Sequence, residues 1–149
     1  MSFERIGILS IGEMGYHWAR VLGAHGVKVY SFLDGRSAAT RERARNTGVE
    51  LTPALDDLVS QVDLMVSIVV PSAAKEVAER VAQALIKGGR TGLLYVDANA
   101  VSPMTAESLG HTLTLAQAHY VDGCIIGGKI GSGYSRLCFG AGGESPQPT

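Results

Sequence analysis

The chain has little of several things. It contains two cysteines, one tryptophan and 6% aromatic residues in 149 positions. Cys124 and Cys138 form no C-x-x-C, and no Cys/His cluster has zinc spacing, so the sequence predicts no metal site and two free thiols in a reducing compartment. It has no excess of either charge. Thirteen Lys and Arg stand against fourteen Asp and Glu, for a net charge of −1, which excludes the basic footprint of a nucleic-acid binder. No apolar run approaches the roughly 20 residues of a membrane span. The first strand-like run starts near residue 5, which leaves no room for a signal peptide before it, and the expected location is the cytoplasm. No repeat of solenoid period is visible. His17, His25, His111 and His119 are far apart and read as surface or strand-edge residues.

What is present is an ordinary globular composition, 46% apolar and 18% charged, in a length that suits one domain. Apolar runs alternate with helical segments. Arg5–Leu9 reads as a strand buried on both faces. A helix over about 14–23 should turn Trp18, Val21 and Leu22 toward the sheet. A strand follows at 27–32, then a charged helix to about Asn46 closed by Gly48, and a short strand at 49–51. Thr52-Pro53 predicts a capped helix start, with Leu55 and Leu58 facing inward. The run Leu64–Val70 is the most strand-like of all. Pro71 ends it, Ser72 is placed to cap a helix over 73–86, and Gly88-Gly89 stops that helix. A strand at 93–96 ends at Asp97. Ser102-Pro103 predicts another cap and a helix to about Ala118, with a break near Gly110. A strand at 119–122 follows. Eight glycines then fall between Gly123 and Gly143, with a last strand at 135–139 and a flexible tail over 144–149. The alternation predicts an α/β fold, a Rossmann-type doubly wound parallel sheet between two helical layers, occupying residues 1–143.

The chemistry sits at Ser10-Ile11-Gly12-Glu13-Met14-Gly15, which follows the first strand and opens the first helix. Such a turn aims free backbone N–H groups at one point, and the helix N-terminus adds roughly half a positive charge there. A phosphate is the natural occupant. This is a G-x-G-x-x-G string in its required context, with Ser10 in place of the first glycine. Gly12 lets the backbone approach a pyrophosphate, and Gly15 lets the helix pack closely on the sheet. Asp34 stands at the acidic position about 20 residues on, where a carboxylate meets the adenosine ribose hydroxyls. Arg36 and Ser37 stand just beyond it, where they could hold a 2′-phosphate. These readings compete, and the expectation is NADP, with NAD as the alternative. Val69, Val70 and Pro71 would form an apolar wall for the cofactor. Asn99 could bond near the nicotinamide ribose. Asp97 and Asp122 read equally well as site residues or as strand-end anchors for loop N–H groups.

Other chemistries fit poorly. Gly123–Lys129 matches G-x-x-x-x-G-K, but Ile130 stands where a magnesium-binding Ser or Thr is needed. No tyrosine is followed by lysine four residues on, which disfavours a short-chain dehydrogenase.

These residues resemble the N-terminal domain of the β-hydroxyacid dehydrogenases, the superfamily of 3-hydroxyisobutyrate and 6-phosphogluconate dehydrogenases. The family opening, approximately I-G-F-I-G-x-G-x-M-G, is matched by Ile6–Gly15 except at Ser10. Its apolar-Pro element is matched by Val69-Val70-Pro71. Its D-x-S-T-V-S-P run is matched by Asp97–Pro103. Its D-A-P-V-S-G-G substrate segment is matched by Asp122–Gly128, with Ile126 in place of serine. The resemblance implies an oxidoreductase domain that binds a nicotinamide dinucleotide and contacts a small substrate near Ile126, Gly127 and Gly128. Imine reductases share the architecture. A helical second domain carries the catalytic lysine in such enzymes, and Lys129 does not occupy that position, so no catalytic residue is assigned. A partner helical domain or a homodimer is the expected assembly. A non-catalytic dinucleotide-binding or sensing module is the alternative function.

Overall fold

The structure is a computed structural model. It describes residues 4–9, 13–32, 37–99, 101–127 and 135–140. The expectations placed on Ser10, Ile11, Gly12, Asp34, Arg36, Ala100, Gly128, Lys129 and the tail lie outside these residues.

Among the described residues seven strands form one sheet: β1 (Arg5–Leu9), β2 (Lys28–Ser31), β3 (Glu50–Leu51), β4 (Leu64–Ser67), β5 (Leu94–Asp97), β6 (His119–Gly127) and β7 (Ser135–Gly140). Their order is β3-β2-β1-β4-β5-β6-β7. The first six are parallel, and β7 adds an antiparallel edge that pairs only with Asp122–Gly127 of β6. The parallel part was legible in the alternation of apolar runs. The antiparallel edge was not, since local pattern carries no strand direction.

Two helices, α1 (Glu13–Ala24) and α2 (Ala38–Thr47), cover one face of the sheet. Their Ala19 and Ala44 pack with Ile6, Ile8 and Val29. Three others, α3 (Leu55–Gln61), α4 (Ala74–Gly88) and α5 (Pro103–Leu115), cover the opposite face. There Leu58, Val81, Leu85, Leu109 and Leu113 close over Met65 and Tyr95. This is the doubly wound, three-layer arrangement that the sequence predicts. Burying a side chain of leucine size is worth roughly 1.5–3 kcal/mol, so these two faces dominate the stability.

Several local expectations need correction. Trp18 and Leu22 face the sheet, but Val21 is 36% exposed, because Ala19 takes the inward position instead. Thr52 does not cap α3. Its hydroxyl donates to the carbonyls of Ser31 and Ala54, which ties the end of β3 to β2, and the helix starts at Leu55 without a side-chain cap. Ser72 caps nothing either. Pro71–Ala73 forms a 3-10 turn, and α4 begins after it at Ala74. The helix α5 runs unbroken through Gly110. A Cβ at Gly110 would stand 3.2 Å from the Tyr120 ring, so this glycine marks a close helix–sheet approach rather than a break. Ser102 does cap α5, its hydroxyl accepting the Thr105 N–H at 3.1 Å. The Asp122–Gly127 part of the expected substrate segment is strand, continuous with β6.

Gly7 shows why the second residue of the opening motif is small. A Cβ there would meet both methyls of Val62 at 3.3–3.4 Å and Leu58 at 3.4 Å. The segment leading into β4 is packed directly onto β1.

Candidate dinucleotide site

The chain changes direction at β1. From there it winds to β2 on one side and later returns to β4 on the other. In an open α/β sheet this reversal leaves a crevice at the carboxyl ends of the strands. One row of paired residues marks that edge: Leu9 beside Ser67, Ser67 beside Asp97, and Asp97 beside Asp122. Between Leu9 and Glu13, where α1 starts, only three residues intervene. The N-terminus of α1 therefore lies at the end of β1, at the reversal. Gly15, in its first turn, is buried. The side chains of Glu13 and Met14 lie outside the described residues.

Beyond β4 the chain leaves the ladder. Val69 is partly buried, while Val70 is 65% exposed and is followed by exposed Pro71 and Ser72. Val69–Pro71 thus forms a lip with a large apolar side chain exposed at the edge of the crevice.

Asn99 lies beside this lip and is 5% exposed. Its side-chain oxygen accepts the Val69 N–H at 2.8 Å. Its amide nitrogen donates to Asp97 Oδ1 at 2.6 Å and to Ser67 Oγ at 3.3 Å, and its backbone N–H also donates to Asp97 Oδ1, at 2.9 Å. These partners fix which end of the amide is oxygen. The Tyr120 hydroxyl donates to Asp97 Oδ2 at 3.4 Å, and the Tyr120 ring stacks on Tyr95 with centroids 6.3 Å apart. Asp97, 1% exposed, thus anchors the Asn99 turn, which was one of its two expected roles. Burial pushes its carboxyl above the usual range, the Asn99 bonds oppose this, and the nearby Asp122 charge raises it further. Asp122 is also raised by burial. Burial drives the phenols of Tyr95 and Tyr120 above their ordinary value, and the Asp97 charge adds to both.

Ser37 caps α2. Its hydroxyl accepts the Thr40 N–H at 3.2 Å and shares a 3.0 Å bond with the Thr40 hydroxyl. Ile126 and Gly127 stand on β6 opposite Arg136 and Ser135. They belong to the five residues by which β6 outruns the row at Asp122, a length of roughly 16 Å in an extended strand. The structure therefore brings together the end of β1, the start of α1, Val69–Pro71 and Asn99, and sets Ile126 and Gly127 on an arm beyond them.

Sequence reasoning passed over Ser67, Tyr95 and Tyr120. The signal for Ser67 was available: a hydroxyl inside the apolar run Leu64–Val70 must find a partner if that run is buried. Among the described residues, two cavities also line the fold. One of about 560 Å³ lies between the ends of α1 and α2 near Gly26 and Lys28, at the opposite edge of the sheet from the crevice. The other, of about 380 Å³, begins beside Phe32 at the carboxyl end of β2. Among the described residues no group of three His, Cys, Asp or Glu could hold a metal, and no helix is long and apolar enough to cross a membrane.

A doubly wound parallel sheet whose strand order reverses at β1 defines the class: a Rossmann-type α/β domain. More particularly, the chain belongs to the family described as the NAD binding domain of 6-phosphogluconate dehydrogenase, whose model matches residues 5–147. It is 31% identical over 136 residues to an uncharacterised 28.5 kDa protein of Methanothermus fervidus, covering 91% of this chain and 50% of that one. It is similar to the structure of a conserved protein of unknown function described as resembling 3-hydroxyacid dehydrogenases, with TM-score 0.73 and 31% identity over 83% of this chain and 44% of that one. An imine reductase variant from Myxococcus stipitatus, solved with NAD+, shares the fold with TM-score 0.69 and 22% identity, over 85% of this chain and 42% of that one. The chain thus spans about half the length of the proteins it matches.

Proposed function

We propose that this chain binds NADP, with NAD as the alternative, and serves as the cofactor half of a hydride-transferring oxidoreductase. In this reading the backbone amides of Ser10, Ile11, Gly12, Glu13, Met14 and Gly15 grip the diphosphate. Asp34, Arg36 and Ser37 meet the adenosine ribose. Val69, Val70 and Pro71 cover the cofactor, and Asn99 lies near the nicotinamide ribose. The dinucleotide supplies the redox chemistry. The chain's residues bind and orient it. A small hydroxyacid-like or imine substrate is held near Ile126, Gly127 and Gly128. The proton donor comes from a helical domain or a second subunit, and the working location is the cytoplasm.

One observation carries this reading. The three-residue connection from Leu9 to Glu13 falls at the reversal of the sheet, where a helix N-terminus and a strand end converge. Fluorescence titration with NADH and NADPH tests it, with Gly12→Asp as the control. The aspartate places a side chain and a negative charge where the diphosphate approaches, and binding should be lost. Equal binding by the variant would move the site elsewhere.

A second reading is a non-catalytic dinucleotide-binding or sensing module. Ile126 favours it, because the family resemblance implies a substrate-binding serine at that position. Binding without hydride transfer, even when a helical domain is supplied, would select it.

A further inference from the structure

The carboxyl end of β2 carries an aromatic ring with a cation laid over it. Phe32 follows Ser31, the last residue of β2, and packs against the core beneath α4. Arg80 is exposed on α4, and its Cζ lies 5.8 Å from the centre of the Phe32 ring. Both line the cleft of about 380 Å³, whose other wall is Pro53, Ala54 and Leu55 at the start of α3. A cleft of that size is within the range of roughly 300–1,000 Å³ typical of small-molecule sites. Of its two lining cations, Lys87 is matched by Asp56 at 3.0 Å, and Arg80 is the one set against a ring.

In a doubly wound sheet, the residues after β2 meet the adenosine ribose. The base joined to that ribose lies one glycosidic bond away, so it must occupy space bordering the end of β2. Phe32 and Arg80 border that space. A guanidinium is flat, and guanidinium planes stack on aromatic faces. We infer that Arg80, steadied by Phe32, is the stacking platform for the adenine base of the dinucleotide. This rests on the reading that residues 10–15 hold the diphosphate. Stacking reads neither the 2′-hydroxyl nor a 2′-phosphate, so Arg80 contributes equally to both coenzymes. Discrimination between them falls to the residues after β2.

The test is calorimetric titration of the full chain with ADP-ribose and with 2′-phospho-ADP-ribose, for the wild type, Arg80→Ala, Arg80→Lys and Gly12→Asp. Base stacking on a side chain is worth enough that Arg80→Ala should weaken both ligands by the same factor, roughly fivefold or more. Arg80→Lys should recover little, because an ammonium has no flat face. Three results would overturn the inference. A loss confined to the 2′-phosphate ligand would make Arg80 a phosphate contact. Full recovery by lysine would mean that charge alone matters. Unchanged binding in Arg80→Ala, with binding lost in Gly12→Asp, would remove the platform and leave the diphosphate site standing. Retained binding in Gly12→Asp would instead count against the diphosphate reading.

Discussion

Asn99 and Val69 are thirty residues apart in sequence and joined by one hydrogen bond of 2.8 Å, from the Val69 N–H to the Asn99 side-chain oxygen. The bond ties the turn after β5 to the chain leaving β4, and so sets the height of the Val69–Pro71 lip above the crevice. Replacing Asn99 with leucine keeps the volume but removes three side-chain bonds. It leaves the part-buried Val69 N–H without its partner and takes one donor each from Ser67 and Asp97, while Asp97 keeps the residue-99 backbone N–H and the Tyr120 hydroxyl. Each orphaned buried group costs about 1–3 kcal/mol. We expect Asn99→Leu to lower unfolding free energy in urea by roughly 2 kcal/mol or more. A loss under about 0.5 kcal/mol would mean the network is not closed in solution.

The same network has a pH signature. Asp97 and Asp122 are both raised above 3.8 in the folded chain. Between the unfolded and folded values the folded state holds more protons, so the contribution of these groups to stability falls as pH rises through that window. It is fully present below the unfolded value and lost above the folded one. Asp122→Asn removes a like charge beside Asp97 and should lower the Asp97 midpoint. Carboxyl carbon chemical shifts followed against pH measure this directly. A midpoint for Asp97 below 3.8, or one unmoved in Asp122→Asn, would contradict the geometry.

Two serines each preceding or within a proline turn should behave oppositely. Ser102 bonds the Thr105 N–H, and Ser102→Ala should cost about 1 kcal/mol, the usual worth of an N-cap. Ser72 sits in the 3-10 turn ahead of α4 and bonds no helix N–H, so Ser72→Ala should be near neutral. Thermal melts of the two variants give the comparison, and equal losses would mean that both residues cap.

Glycines divide the same way. Gly7→Ala forces a methyl against Val62 and Leu58, both fully buried, and should destabilise by roughly 1–3 kcal/mol. Gly23 lies in α1 with open space where its Cβ would go, so Gly23→Ala should stabilise by up to about 1 kcal/mol. Stabilisation by Gly7→Ala would show that the β1 packing is looser than described.

Much of this fold was legible because parallel strands buried on both faces read as continuous apolar runs, and Arg5–Leu9 and Leu64–Ser67 do so. Gly48 and Gly89 close their helices in the left-handed conformation, as their positions suggested. The failures have physical causes. Thr52 and Ser72 have the chemistry of caps, but the hydroxyl of Thr52 is drawn to Ser31 across the sheet, and Pro71 starts a tighter turn around Ser72. Gly110 looks like a breaker until Tyr120 occupies the space beside it. Asn99 and Val69 were read as separate site residues, because a bond across thirty positions leaves no local trace. The Phe32–Arg80 pair was invisible for the same reason.

Everything functional here depends on whether main-chain amides after β1 hold a diphosphate. The most direct measurement is amide NMR of the full chain during titration with NADPH. The account predicts the largest shifts at the N–H groups of residues 11–15, with Val69 and Val70 moving next, and no such shifts in Gly12→Asp. Saturable binding that leaves the amides of 11–15 unmoved, with the largest shifts instead around Gly26, Lys28 and Gly48, would contradict it.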